Sequence, residues 1–169
     1  MAKCYPRLSA RVISGAMSIL SNAEFRNAAP NGTRIMGLDV GSKTVGVSLS
    51  DVLHMIASPL ETVKRKKFRD DSARLSKIAT DHEVGGVLLG LPLSMDGTEG
   101  PRCQSTRAFA DNLGKVIDLP MTFWDERLST SAVERMLVND VDMSRKRRGE
   151  VIDKLAAVYI LQGFLDARS

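Results

Sequence analysis

At 169 residues, 43% of them hydrophobic, the chain suits one compact domain with a real core. Its net charge of +4 permits a polyanionic partner without requiring one. Cys4 and Cys103 lie far apart and form no Cys/His ligand spacing, so neither a disulfide framework nor a zinc site is indicated. No apolar run approaches the roughly 18 residues a membrane span needs, and a soluble protein of a reducing compartment such as the cytoplasm is expected.

Residues 1–34 differ from the rest. They are rich in Ser, Ala, Asn and Arg, with Glu24 the only acid, and end in the breaker run Ala29-Pro30-Asn31-Gly32. Val12, Ile13, Met17, Ile19 and Leu20 fit one short amphipathic helix. Both a plastid or mitochondrial targeting peptide and an uncleaved helical appendage have this composition, so the expected division is an extension over 1–34 and a domain over 35–169.

Ile35 to Val40 and Val45 to Leu49 read as an antiparallel hairpin around the turn Gly41-Ser42-Lys43-Thr44. Within it, Asp39 is a carboxylate in an apolar setting. A charge beside a central strand costs several kcal/mol to desolvate unless it is paired, and the nearest cation is Lys43 at the turn. A bound metal ion is one partner that would fit, and solvation at the strand end is the alternative. Ser58 to Val63 is a third strand that begins near Pro59. Lys64, Arg65, Lys66 and Lys67 follow, a cationic run suited either to a phosphate backbone or to plain solvation. Phe68, Leu75, Ile78 and Ala79 then fall at helical spacing through His82.

Val84 to Leu91 is nearly continuous in apolar residues, as in a strand buried on both faces. The loop from Pro92 to Gly100 carries Asp96 and Glu99 and leads into a helix that Pro101 starts, with Cys103, Thr106, Phe109, Ala110 and Leu113 as its inner stripe. In open α/β sheets, ligands bind at loops on the carboxyl ends of such strands. Pro120 to Trp124 reads as a last short strand running into Asp125-Glu126-Arg127, either a second site cluster or a structural ion pair. Ser131 and Glu134 match a capping box for a helix through about Val138. Ser144 can cap a final helix from Arg145 to about Ala167, almost wholly apolar after Leu155. Arg145, Lys146, Arg147 and Arg148 on its first turn oppose the helix dipole, which points to a compensating anion. Asp153 sits at the edge of the apolar part, with the small residues Ala156 and Ala157 on the same face.

This order of strands and helices, with acids on the first strand, near the ends of later strands and on the last helix, is the ribonuclease H-like arrangement: an α/β fold with a mixed five-stranded sheet and helices on both faces. Four segments carry a family resemblance: Gly37-Leu38-Asp39-Val40-Gly41-Ser42-Lys43, Gly90-Leu91-Pro92-Leu93-Ser94-Met95-Asp96-Gly97-Thr98, Trp124-Asp125-Glu126-Arg127-Leu128-Ser129-Thr130 and Val151-Ile152-Asp153-Lys154-Leu155-Ala156-Ala157. Together, over roughly Ile35 to Asp166, the chain resembles the YqgF (RuvX) family of Holliday junction resolvases and nucleases that mature the precursor of small-subunit ribosomal RNA. The resemblance implies a nuclease using Mg²⁺ (or Mn²⁺), with Asp39, Glu126 and Asp153 as catalytic metal ligands and Asp125 as a substitute for Glu126. Asp96 is a further candidate through its loop. It also implies that Lys43, Arg127 and the two basic runs hold phosphates of structured RNA or branched DNA, with the protein a monomer or weak homodimer. A catalytically inactive nucleic-acid-binding module and an actin-like or sugar-kinase ATPase are the rival readings. The ATPase needs two such domains where this chain has room for one.

Overall fold

The structure, a computed structural model, describes residues 19–128 and 145–167, with side chains for 19–127 and 155–167. The helix expected over 131–138 lies outside the described residues, as do Val12, Ile13 and Met17 of the helix expected to reach Leu20; at that end Leu20 is not helical but forms a parallel bridge with Thr122 of the sheet. The elements are α1 (Asn22–Ala28), β1 (Arg34–Val40), β2 (Thr44–Ser50), β3 (Ala57–Lys64), α2 (Phe68–Asp81), β4 (Val84–Leu91), α3 (Pro101–Gly114), β5 (Met121–Asp125), a 3₁₀ turn (Glu126–Leu128) and α4 (Arg145–Asp166). One five-stranded sheet has the order β3-β2-β1-β4-β5. The β1–β2 and β2–β3 pairs are antiparallel, and β1–β4 and β4–β5 are parallel.

The apolar runs go to the middle of this sheet. All eight residues of β4 are buried, as a strand covered on both faces requires. The edge strand β3 tolerates Pro59 at the irregularity where its register with β2 shifts, where a missing N–H breaks no regular ladder bond.

The two-residue alternation of β1 separates two cores. Met36, Leu38 and Val40 face a cluster built with Leu75 and Ile78 of α2 and Phe109 and Leu113 of α3. Ile35 faces the opposite cluster, which holds Phe25 of α1, Leu88, Trp124, and Ile160, Leu161 and Phe164 of α4. Gly37 lies on the same side as Ile35, and a Cβ there would stand 2.9 Å from Leu161 Cβ and 2.5 Å from Ser48 Oγ. Only the missing side chain lets α4 close onto the strand. Ser48 Oγ then donates to the Ala157 carbonyl at 2.8 Å, pinning helix to sheet.

The domain begins earlier than residue 35. Leu20 N–H donates to the Met121 carbonyl at 2.8 Å, and Thr122 Oγ1 donates to the Leu20 carbonyl at 2.7 Å. Ser21 and Glu24 form a reciprocal capping box on α1. Phe25 is fully buried, edge-to-face with Phe164 at 5.6 Å. Glycine makes room for it, because a Cβ at Gly86 would come within 2.7 Å of the Phe25 ring. The described part of the expected extension is thus core, because one aromatic side chain at full burial outweighs a polar surrounding composition.

Candidate active site

Asp39 is the next residue after Gly37 on the α4 side of β1, at the carboxyl end of the strand and half-buried. Glu126 reaches the same neighbourhood from β5. Its 3₁₀ turn folds the side chain back over β4, where Gly90 leaves the space: a Cβ at Gly90 would be 2.6 Å from Glu126 Oε1. Burial first, and then the negative charge of Asp39, push the Glu126 carboxyl up to about 7 from an ordinary 4.5; Arg102 opposes the shift and Asp125 adds to it. A carboxyl raised by burial and by a second acid from a distant strand is a common signature of a functional site.

Asp125 has a different environment. As the last strand residue it projects to the opposite face from Trp124, and its carboxylate accepts from the Arg127 backbone N–H at 3.0 Å and from Arg127 Nη2 at 2.6 Å. That guanidinium holds Asp125 below the usual carboxylate range. Arg127 is therefore a staple of its own turn, and its Nη1 also reaches the Met95 carbonyl at 3.5 Å in the β4–α3 loop. Asp96 closes that loop by accepting from Thr98 N–H at 2.9 Å and Thr98 Oγ1 at 2.6 Å, with Gly97 at φ +84° completing the turn. Both acids are engaged within their own turns, Asp96 by Thr98 and Asp125 by Arg127.

Asp39 opens onto a cleft of about 560 Å³, lined also by Ser42, Lys43, Arg65, Arg102 and Ser105. The hairpin turn supplies Lys43, which is exposed. Of the run at the β3–α2 junction, Lys64, Lys66 and Lys67 are exposed, while Arg65 turns inward. Its Nη1 donates to the Gly41 carbonyl at 2.8 Å, its Nε lies 4.0 Å from Asp71, and its guanidinium sits 5.5 Å from the centre of the Phe109 ring. Asp71, only 2% exposed, also accepts from Lys66 N–H at 3.1 Å. A buried acid thus orients one cation of the four into the cleft.

Asp153 lies on α4, but its side chain, like those of Arg145, Lys146, Arg147 and Arg148, is outside the described residues. Among the described residues no three acidic, His or Cys side chains gather as a metal cluster. Arg102 and Ser105 were not singled out in the sequence. Both sit on the exposed face of α3, and the one available signal was that a helix following a buried strand's carboxyl-end loop presents its first turns toward the site.

The chain matches a family model, RuvX, described as Holliday junction resolvase, over residues 33–167. The protein named "Putative pre-16S rRNA nuclease" from Roseobacter denitrificans is 60% identical over 152 residues, covering 89% of this chain and 93% of that protein. The protein of the same name from Paramagnetospirillum magneticum is 55% identical over 153 residues, covering 90% and 98%. The structure of T. thermophilus RuvC in complex with a Holliday junction substrate matches with a TM-score of 0.50 at 15% identity, covering 79% of this chain and 94% of that one. At that identity the likeness is one of fold, and the ribonuclease H-like arrangement is the one observed.

Proposed function

We propose that this chain, which belongs to the RuvX family, is a divalent-cation-dependent endonuclease that hydrolyses phosphodiester bonds of ribosomal RNA precursor. The observation that carries the reading is the pair Asp39 and Glu126, two half-buried carboxylates, one on β1 and one on the turn after β5, the first of which raises the carboxyl of the second. Hard oxygen donors concentrated against their own repulsion suit Mg²⁺ or Mn²⁺, which take oxygen ligands and offset the negative charge.

Asp153 is the third ligand in this reading, and the direction of α4 supports it. Gln162 meets the beginning of β3, accepting from Ala57 N–H at 2.8 Å, and Ala57 is in register with Ser50 at the end of β2. Ala157 lies over Gly37. The helix therefore runs against β1, and the turn before Ala157 lies toward the Asp39 end. Asp39, Glu126 and Asp153 would hold a cation there, and when bound it would acidify a water and offset charge at the leaving oxygen. Asp39 and Glu126 orient it, while Lys43 and Arg65 bind phosphates that flank the reacting one, giving salt-dependent and largely sequence-independent affinity. Asp125 and Arg127 keep the β5 turn and the β4–α3 loop in position.

The RNA substrate is favoured by the names of relatives at 55–60% identity. The second reading, cleavage of four-way DNA junctions, rests on the family's description and uses the same carboxylates. An inactive binding module would have no need of two mutually opposed acids. No described helix is long and apolar enough to cross a membrane. Purified protein incubated side by side with ribosomal RNA precursor and a four-way DNA junction, with Mg²⁺, Mn²⁺ or chelator, separates these readings. Asp39→Asn should abolish Mg²⁺-dependent cleavage and leave nucleic-acid binding intact. An Asp39→Asn protein that cleaves like the unmutated one overturns the assignment.

A further inference from the structure

The cleft beside Asp39 is walled by three cations from three separate elements: Lys43 from the β1–β2 turn, Arg65 from the β3–α2 junction and Arg102 from α3. Against the single carboxylate that lines it, this leaves the cleft with an excess of positive charge. The three cations are not held alike. Arg65 is fixed by the Gly41 carbonyl and Asp71. Arg74, Arg107 and Arg127 elsewhere on the surface are each engaged by a carboxylate, of Glu61, Glu99 and Asp125. Arg102, among the described residues, is held by no hydrogen bond or ion pair and is exposed, yet its charge acts on Glu126. An arginine kept near the acid pair without an ion-pair partner of its own has donors available for a ligand, and its planar fork matches a phosphate. Ser42 and Ser105 add hydroxyls to the same cleft.

We propose that Arg102, together with Lys43 and Arg65, completes a clamp built from three elements on a backbone phosphate of the nucleic-acid substrate, one that neighbours the phosphate undergoing hydrolysis. This rests on the nuclease reading above and adds to it a substrate-contacting residue on α3. The clamp gives the substrate register over the Asp39–Glu126 pair: two cations are supplied by the sheet side and one by the helix that follows the β4–α3 loop. It reads phosphate spacing, not base identity.

The test measures binding and cleavage separately, with a fluorescent RNA hairpin and a fluorescent four-way DNA junction as probes. In an Asp39→Asn background, which removes cleavage, Arg102→Ala should weaken binding by about tenfold, and the slope of log K against log salt should shrink by about one. Arg102→Lys should restore part of the affinity, and Lys77→Ala, on the outer face of α2, should change neither quantity. In the active protein Arg102→Ala should raise KM for the hairpin more than it lowers kcat, with the melting temperature unmoved. An Arg102→Ala variant in the Asp39→Asn background that binds with the affinity and salt slope of Asp39→Asn alone, while the unmutated protein cleaves, overturns the clamp and leaves the nuclease reading standing. A parent protein that neither binds nor cleaves either probe overturns both.

Discussion

Replacing Glu126 by glutamine should stabilise the metal-free protein, although it removes a residue placed in the active site. The folded-state pKa of about 7 lies above the ordinary 4.5, so the folded protein holds this proton more tightly than the unfolded chain does. Stability from this group is fully present below about pH 4.5 and is lost as pH rises through about 7. At full weight the difference corresponds to about 3 kcal/mol. Glu126 is partly exposed, and solvent screening reduces this to roughly 1–2 kcal/mol. Thermal unfolding in chelator at about pH 8 should therefore show Glu126→Gln melting about 2–8 °C above the unmutated protein. The gap should narrow as the pH is lowered through 7 and close below about 4.5. Addition of Mg²⁺ at about pH 8 should reverse the order, because a cation that binds the folded state stabilises the protein that keeps both carboxylates. A variant that melts with or below the unmutated protein in chelator at about pH 8 would mean that burial and the charge of Asp39 do not together raise the Glu126 carboxyl, and the reasoning fails.

Gly90→Ala would put a Cβ 2.6 Å from Glu126 Oε1 and 2.5 Å from Ile160 Cδ1; both are ends of flexible side chains that can yield, so cleavage rate should fall up to about 100-fold while stability changes little. Equal rates for Gly90→Ala and the unmutated protein would remove Glu126 from the reaction. Phe25→Ala should cost about 3–5 kcal/mol in chemical denaturation, since Phe25 is fully buried against Phe164; a loss below about 1 kcal/mol would return residues 19–29 to the status of an appendage.

Much of the architecture was legible because local patterns and tertiary demands agreed. The apolar run from Val84 to Leu91 could only be a strand covered twice, and the short turn Gly41 to Thr44 between two β-branched runs left a hairpin as the natural pairing. Pro101 marked the first residue of α3 as drawn. Asp39, Glu126 and Asp153 were picked out by motif resemblance, and the neighbourhood of the first two is a tertiary fact that no spacing along the chain expresses: 87 positions separate residue 39 from residue 126.

Periodicity, turn chemistry and composition act over a few residues, so they mark where strands and helices begin, which faces are apolar and which residues carry charge. They do not say which charge meets which. Only the packed sheet decides that Arg65 turns into the cleft while its three neighbours stay in solvent, that Arg127 claims Asp125 and leaves Glu126 to face Asp39, and that Phe25 belongs to the core of a domain whose first strand starts nine residues later at Arg34. Each of these outcomes depends on the competition between burial and pairing among groups distant in sequence, and that competition is settled only when the strands are side by side.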